Sequence, residues 1–459
     1  MSYSDSQYTQ QVQKRWSRRA SWLLPGLSLK RWVGLFFVGL LLAILGLALL
    51  LQLQPISWSI EIVKSVAPAI PSWLSGSMLV LGGAIMLMLG WKKATGTVLT
   101  ALGDHSDLTV LEQIYRRRKL DQGPRIVAVG GGTGLSTLLR GIKHYTNNIT
   151  AIVTVADDGG SSGRLRQEFN IIPPGDIRNC IAALANEEEL ITELFQYRFK
   201  LGEGLKGHSF GNLFLSVMCE ITGNMNTAVK ESAKVLNIRG RVIPATLENV
   251  ELIAHLEDGS EVRGESNIPE AGKPIAKLRC EPANAQPLPE VIEAIAQAEL
   301  IILGPGSLFT SVLPNLLIQA VADAIHHANA PKIYVCNVMS QPGETDGYTV
   351  GDHLQALLKH CPGQHMVDMV VVNNWIPESL IRKYQEHGQY PVVIDRQRIE
   401  DMGIGIIERV LVDDGETIRH NSRKLGRSII RWYKKHYGRS GQKQSVTLIP
   451  GTQVLESSI

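Results

Sequence analysis

The chain has 459 residues, 44% hydrophobic and 19% charged, with a formal net charge of +3. That length exceeds one small domain, and the apolar content supports a sizeable core and excludes wholesale disorder. The near-neutral balance argues against a dedicated nucleic-acid binder.

The first 31 residues are basic, with Lys14, Arg15, Arg18, Arg19, Lys30 and Arg31. Residues 32–51, WVGLFFVGLLLAILGLALLL, are an unbroken apolar run long enough to cross a bilayer as a helix. The run lies too far in, and lacks the small-residue cleavage signal, for a secretory signal peptide. Residues 73–91 form a second uncharged run between Trp73 and Trp91, side chains suited to membrane interfaces. Basic residues also follow this pair (Lys92, Lys93, Arg116, Arg117, Arg118, Lys119), whereas the connection carries only Glu61 and Lys64. By the positive-inside rule, residues 32–91 are expected to form a two-pass transmembrane hairpin with both termini in the cytoplasm. No charged residue interrupts either run, so the hairpin reads as an anchor and not a transport path.

Residues 92–122 read as a linker that becomes a helix (Leu108, Leu111, Ile114, Tyr115), and residues 123–415 as the main folded domain. Its first strand, residues 125–129 (RIVAV), runs into GGGTGLSTLLRGIK, whose Leu135, Leu138, Leu139 and Ile142 recur at helical spacing. Such a glycine-dense strand-to-helix turn lets backbone N–H groups approach a phosphate, and the helix N-terminus adds partial positive charge. Residues 151–155 repeat the arrangement and end in Asp157-Asp158 and the turn Gly159-Gly160-Ser161-Ser162. Two such turns close together point to one site at the carboxyl edge of a parallel sheet. Adjacent aspartates on extended backbone face opposite ways, so one can meet a ligand while the other holds the turn. A carboxylate beside a phosphate seat implies either a bridging Mg²⁺ or a hydrogen bond to a sugar hydroxyl.

Next comes Pro173-Pro174-Gly175-Asp176, where Asp176 is expected to cap a helix through Ala185. A helix over residues 187–199 and a third small-residue turn, GHSFGN (207–212), opening a helix through Ile221, follow. Residues 235–281 change to near period-two alternation with an Asp258-Gly259 hairpin turn, which predicts an antiparallel β insert serving as a lid or dimer surface. Then the α/β rhythm resumes. A buried strand (299–303) ends in Gly304-Pro305-Gly306-Ser307 before a helix over 314–328; further strands follow at 332–337, ending in Asn337, and 366–373. The repetition predicts an α/β, Rossmann-like, doubly wound and mostly parallel sheet. Residues 416–459 hold a basic helix (422–439) and tail, suited to anionic lipid or to plain solvation. Cys180, Cys219, Cys280, Cys336 and Cys361 are scattered with no C-x-x-C pair and read as reduced core thiols.

The glycine turn does not match G-x-G-x-x-G, because Leu135 and Thr137 stand where the third glycine would be. Asp157 nonetheless lies where a ribose-binding acid would, which keeps an NAD-binding oxidoreductase as one reading. A Walker A loop is excluded, since no G-K-[ST] follows. Arg164, Arg166 and Arg178 are candidate phosphate partners through bidentate hydrogen bonds. His208 reads as either an acid–base group or a structural histidine, and Asn212 as either a base or hydroxyl reader or a helix-terminal residue. The remaining histidines show no metal-ligand spacing.

Six ordered segments carry a resemblance: GGGTGLSTLLRGIK, TAIVTVADDGGSSGRLRQEFNIIPPGDIRNCIAALA, GHSFGNLFLS, VLNIRGRVIPAT, LIILGPGSLFTSVLPNLL and YVCNVMSQPGETDGYTVGDHL. Together they resemble the YvcK family of bacterial gluconeogenesis factors, the regulatory branch of the CofD-like superfamily named for 2-phospho-L-lactate transferase. The resemblance spans residues 124–412 and implies a Rossmann-like domain that binds UDP-sugars, UDP-N-acetylglucosamine especially, with NAD-type ligands as alternatives. It also implies a part in coordinating central carbon metabolism with cell-wall synthesis and cell shape. In the transferase branch an A-D-D aspartate helps hold Mg²⁺ and the activated donor; Asp157 is the matching residue here, with Gly132, Thr133 and Gly134 at the phosphates. The transferase's D-x-D-T-type segment after the proline is replaced by G-D-I-R-N, which favours binding over transfer. The membrane hairpin is outside the resemblance.

The resulting expectation is a membrane-tethered, cytoplasmic nucleotide-sugar-binding regulator. Its candidate ligand residues are Gly131, Gly132, Thr133, Gly134, Asp157, Asp158, Ser161, Ser162, Arg164, Asp176, Asn179, Asn212, Gly304, Gly306, Ser307 and Asn337, with Asp157 as a metal ligand only in a transferase. A homo-oligomer and a regulatory protein partner are expected, and no nucleic acid. The competing reading is a Mg²⁺-dependent CofD-like phospho-group or nucleotidyl-type transferase in the same site.

Overall fold

Apolar runs without polar alternation suit strands whose two faces are both covered, as in a parallel sheet flanked by helices. The computed structural model describes residues 117–438 except Glu416, together with Ser65. The expected hairpin over 32–91, the basic N-terminus, most of the linker and the tail beyond 438 lie outside the described residues. The strands are β1 (Ile126–Gly130), β2 (Ile149–Val153), β3 (Arg241–Pro244), β4 (Glu251–Leu256), β5 (Glu261–Arg263), β6 (Ile275–Glu281), β7 (Leu300–Leu303), β8 (Lys332–Val335), β9 (Met369–Asn373) and β10 (Gly405–Arg409). Seven of them form one sheet in the order β10-β9-β8-β7-β1-β2-β3, with parallel pairing throughout. Every residue of β1, β2, β7 and β8 is buried. The expected parallel α/β sheet is therefore present.

The strand order runs outward in both directions from the β1–β7 pair, which makes a crevice at their carboxyl ends, the switch point where such sheets bind ligands. Helices α1 (Gly132–Ile142), α2 (Gly160–Phe169), α3 (Gly175–Leu184), α4 (Glu188–Gln196), α5 (Phe210–Thr222) and α6 (Met225–Val235) follow the first two strands. Leu135, Leu138, Leu139 and Ile142 bury one stripe of α1, as their spacing dictates.

Four expectations need correction. The β insert is shorter than 235–281: β3 pairs with β2 in the main sheet, and only β4, β5 and β6 form the antiparallel sheet, in the order β5-β4-β6. At the edge of the main sheet β3 (RVIP) is exposed only at Arg241 and buried over Val242, Ile243 and Pro244, so it carries no alternation of its own. Asp176 does not cap α3. Pro174 is the N-cap residue, and Asp176 sits in the first turn with its carboxylate turned to the Gly132 N–H. The helix expected over 314–328 is a π-helical turn (Leu308–Val312), a short helix (Leu313–Leu316) and, past a 77° bend, a helix over Gln319–His327, because Ile318 takes an extended conformation at the break. Finally, the basic C-terminal helix (Ser422–Tyr437) is part of the core: Leu425, Ile429, Ile430 and Tyr433 are buried, and it packs on α1. The crossing is close because two glycines meet; a Cβ on Gly426 would lie 2.6 Å from the Gly141 carbonyl carbon.

Among the described residues no single helix is long and apolar enough to cross a membrane. The described cysteines are all free and buried, and none pairs in a disulfide.

Candidate functional site

The crevice is walled by the turns that leave β1, β2 and β7. After β1, Gly131 is extended and Gly132 takes a φ of +63°, a left-handed conformation that favours glycine. A Cβ on Gly131 would stand 2.6 Å from the Thr154 methyl and collide with the Asp176 carboxylate. Gly134 touches the β7 turn: its Cβ would come 2.6 Å from the Pro305 carbonyl carbon and 2.7 Å from the Gly306 nitrogen. The turns after β1 and β7 are thus pressed together, which only glycine at 134 permits. Thr133, exposed in the first turn of α1, and Gly134 have backbone N–H groups without an intrahelical acceptor. This is the part of the turn best suited to an anion.

After β2, Asp157 and Asp158 diverge as adjacent residues on extended backbone should. Asp157 accepts from the Gly159 N–H (3.0 Å) and stays beside Gly175 and Ser162. Asp158 turns the other way and holds the β insert, accepting from the backbone N–H groups of Glu265 and Ser266 (2.9 Å each). Behind the second turn lies a buried polar network. The Arg178 guanidinium donates to Ser209 Oγ (2.6 Å), Asn212 Oδ1 (3.0 Å) and Asn179 Oδ1 (2.9 Å). Asn212 Nδ2 donates to Ser161 Oγ (3.1 Å) and Ser162 Oγ (3.3 Å), and Ser161 Oγ meets His208 Nδ1 at 3.1 Å. Gly211 admits this packing, since a Cβ there would lie 2.7 Å from the Arg178 Cδ. Burial, aided by the Arg164 guanidinium, holds the His208 pKa below its usual range, so the ring is neutral at pH 7.

In the turn after β7, the Gly306 N–H approaches Asn337 Oδ1 at 3.4 Å, and Gln341 ties Asn337 (3.0 Å) to Ser307 Oγ (2.6 Å). The buried Glu344 carboxylate takes the backbone N–H groups of Phe309 and Thr310 and the Thr310 hydroxyl (3.3 Å). The Gly306 N–H and Ser307 Oγ, both candidate ligand groups, are therefore engaged from within the protein.

Carboxyls dominate the electrostatics. Burial, with the Asp157 charge beside it, pushes Asp176 up to about 7. Glu265, carried in by the β insert, rises to about 8 through burial and then the charges of Asp157, Asp176 and Asp158. Burial pushes Glu344 to about 7, and Asp157 is raised chiefly by burial as well. Asp176, Glu265 and Glu344 hold protons near neutrality and can donate hydrogen bonds to a phosphate or a hydroxyl. Among the described residues no group of three or more His, Cys, Asp or Glu side chains forms a metal-ligand set. A Mg²⁺ ion would take most of its ligands from a diphosphate and water.

The structure thus brings Gly131, Gly132, Thr133, Gly134, Asp157, Ser161, Ser162, Asp176, Asn179, Asn212, Gly304, Gly306, Ser307 and Asn337 around one crevice. Asp158 faces the insert instead. Arg164 is exposed and donates to the Lys206 carbonyl (3.1 Å), and Arg166 donates to the Val250 carbonyl (2.6 Å). Glu265, Gln341 and Glu344 were not singled out in the sequence. Glu344 and Gln341 lie in the polar loop after β8, where position alone was a usable signal; Glu265 is 108 residues from Asp157 and gave none.

The 2-phospho-L-lactate transferase CofD family matches residues 126–412. A putative gluconeogenesis factor of Nostoc sp. strain PCC 7120 is 51% identical over 443 residues, covering 94% of this chain and 97% of its own. The gluconeogenesis factor of Bacillus subtilis is 49% identical over 318 residues, covering 69% of this chain and 100% of its own. A crystal structure of a UPF0052-family protein from Bacillus halodurans superposes with a TM-score of 0.64 at 48% identity, covering 67% of this chain and 99% of that one.

Proposed function

The chain belongs to the gluconeogenesis factor family, a CofD-like family, and on that premise we propose that it binds a UDP-sugar of the UDP-N-acetylglucosamine type as a regulatory ligand. The observation that carries the reading is the convergence of three small-residue turns on the β1–β7 switch point, with the Ser161–Asn212–Arg178 network behind them. The diphosphate would rest on the N–H groups of Thr133 and Gly134 at the head of α1. Asp157 and Asn212 would meet sugar or base hydroxyls, and the neutral carboxyls would spare the diphosphate like-charge repulsion. Its regulatory output would couple central carbon metabolism to cell-wall synthesis and cell shape through a protein partner.

We also propose that residues 32–91 tether this domain to the cytoplasmic membrane. The apolar runs support the tether, as does the Nostoc relative, whose match covers 94% of the chain, against 69% for the Bacillus subtilis protein.

The test is calorimetric titration of the full chain in detergent with UDP-N-acetylglucosamine, UDP-glucose, NAD and GTP, with and without Mg²⁺, followed by analysis of the recovered ligand. Selective binding of an intact UDP-sugar, weakened at least about tenfold by Gly132→Asp and by Asp157→Ala, is expected. Unchanged affinity in both variants would remove the site. Mg²⁺-dependent conversion of the ligand would establish the transferase reading, and selective NAD binding would establish the dinucleotide reading.

A further inference from the structure

Large apolar side chains left in water are informative when they gather. Of the fourteen exposed large hydrophobic residues described, seven lie on one stretch: Leu190 and Leu194 on α4, Tyr197, Leu201 and Leu205 on the connecting loop, and Val217 and Ile221 on α5. Leu190 and Leu194, like Val217 and Ile221, are four apart and share a helix face. Leu201 is 85% exposed and Ile221 74%. The opposite faces of these helices are committed to the core, through Phe195 on α4 and Leu215 and Cys219 on α5. The β insert, by contrast, faces solvent with ion pairs: Arg263 with Glu251 and Glu281, and Arg279 with Glu261.

We propose that the α4–loop–α5 face is where a second copy of this chain docks, as a two-fold dimer. Charge selects this occupant. Glu187, Glu189 and Glu193 line the α4 end of the face, whereas Arg198, Lys200 and Lys206 line the loop end. A two-fold axis through the patch lays the acidic end of one copy on the basic end of the other and buries the leucines between them. An anionic lipid surface is the poorer occupant, since residues 187–221 carry six glutamates against three bases. The face also adjoins the crevice. The loop is closed by hydrogen bonds between Phe199 and His208 (3.0 Å) and between Phe210 and Tyr197 (2.8 Å), and Arg164 reaches its Lys206 carbonyl (3.1 Å). A dimer there would hold in place the turn that carries His208, Ser209 and Asn212.

The test is site-specific crosslinking of the full chain in its native membranes and in detergent. The five native cysteines are buried, so an introduced cysteine dominates a short bis-maleimide reaction. Ile221→Cys is expected to give a covalent species of twice the chain mass. Glu400→Cys, exposed beside β10 at the other edge of the sheet, is expected to give none. In sedimentation, Ile221→Glu should weaken the dimer about tenfold or more. Reversing the acidic end (Glu189→Lys with Glu193→Lys) or the basic end (Lys200→Glu with Lys206→Glu) should also weaken it, and reversing both together should restore it. The proposal is overturned by a monomer at micromolar concentration or by a dimer indifferent to Ile221→Glu. Protection of residue 221 only when lipid is present would overturn it too.

Discussion

Replacing Asp176 by asparagine should stabilise the protein, and more so at alkaline pH. Its folded pKa of about 7 lies above the ordinary aspartate value of 3.8, because burial and the Asp157 charge disfavour the anion. Below about pH 4 both states hold the proton; between about 4 and 7 the unfolded chain releases it while the native state keeps it, so stability falls as pH rises. From pH 5 to pH 8 the native carboxyl spans about two units of that window, or about 2.7 kcal/mol at 1.36 kcal/mol per unit. Part of the residue opens on the crevice, where water screens the charge, so about half of that, roughly 1–1.5 kcal/mol, is the working figure. Asparagine keeps an acceptor for the Gly132 N–H and carries no charge. In urea titrations of the full chain at pH 5 and pH 8, the advantage of Asp176→Asn should therefore grow by roughly 1–1.5 kcal/mol. A variant that is destabilised equally at both pH values would show that the ionised carboxylate supports the fold, and the reasoning would fail. A more stable variant that loses ligand would mark Asp176 as held in a costly state for binding.

Two further outcomes follow from the packing. Asp158→Ala removes the acceptor of two backbone N–H groups and should speed hydrogen exchange over residues 264–267 while leaving β1 and β7 protected; unchanged exchange there would mean that Asp158 does not hold the insert. Gly426→Val forces a branched side chain into the Gly141 contact and should cost about 1–3 kcal/mol, read as a lower thermal midpoint. An unchanged midpoint would mean that the C-terminal helix is not part of the cooperative core.

The local chemistry of this protein is written in short windows. The β1, β2 and β7 runs and the turns that end them are each contained in about ten residues, and helical spacing alone places the buried stripe of α1. The parallel α/β class follows from their repetition, and the region of the site follows from the class. Position within the site did not. Glu265 reaches the crevice only because Asp158 anchors the insert, and Glu344 because the loop after β8 folds over the β7 turn. Asp176, spaced like a cap, serves instead as a buried partner of the Gly132 N–H, since Pro174 already fills the cap position. The C-terminal helix reads as a basic surface element, yet one glycine in it meets one glycine in α1 and makes it core. Each of these depends on chain segments tens to hundreds of residues apart. Periodicity and turn chemistry are local quantities and fix which elements form; desolvation and close contact belong to the packed molecule and decide what their side chains do.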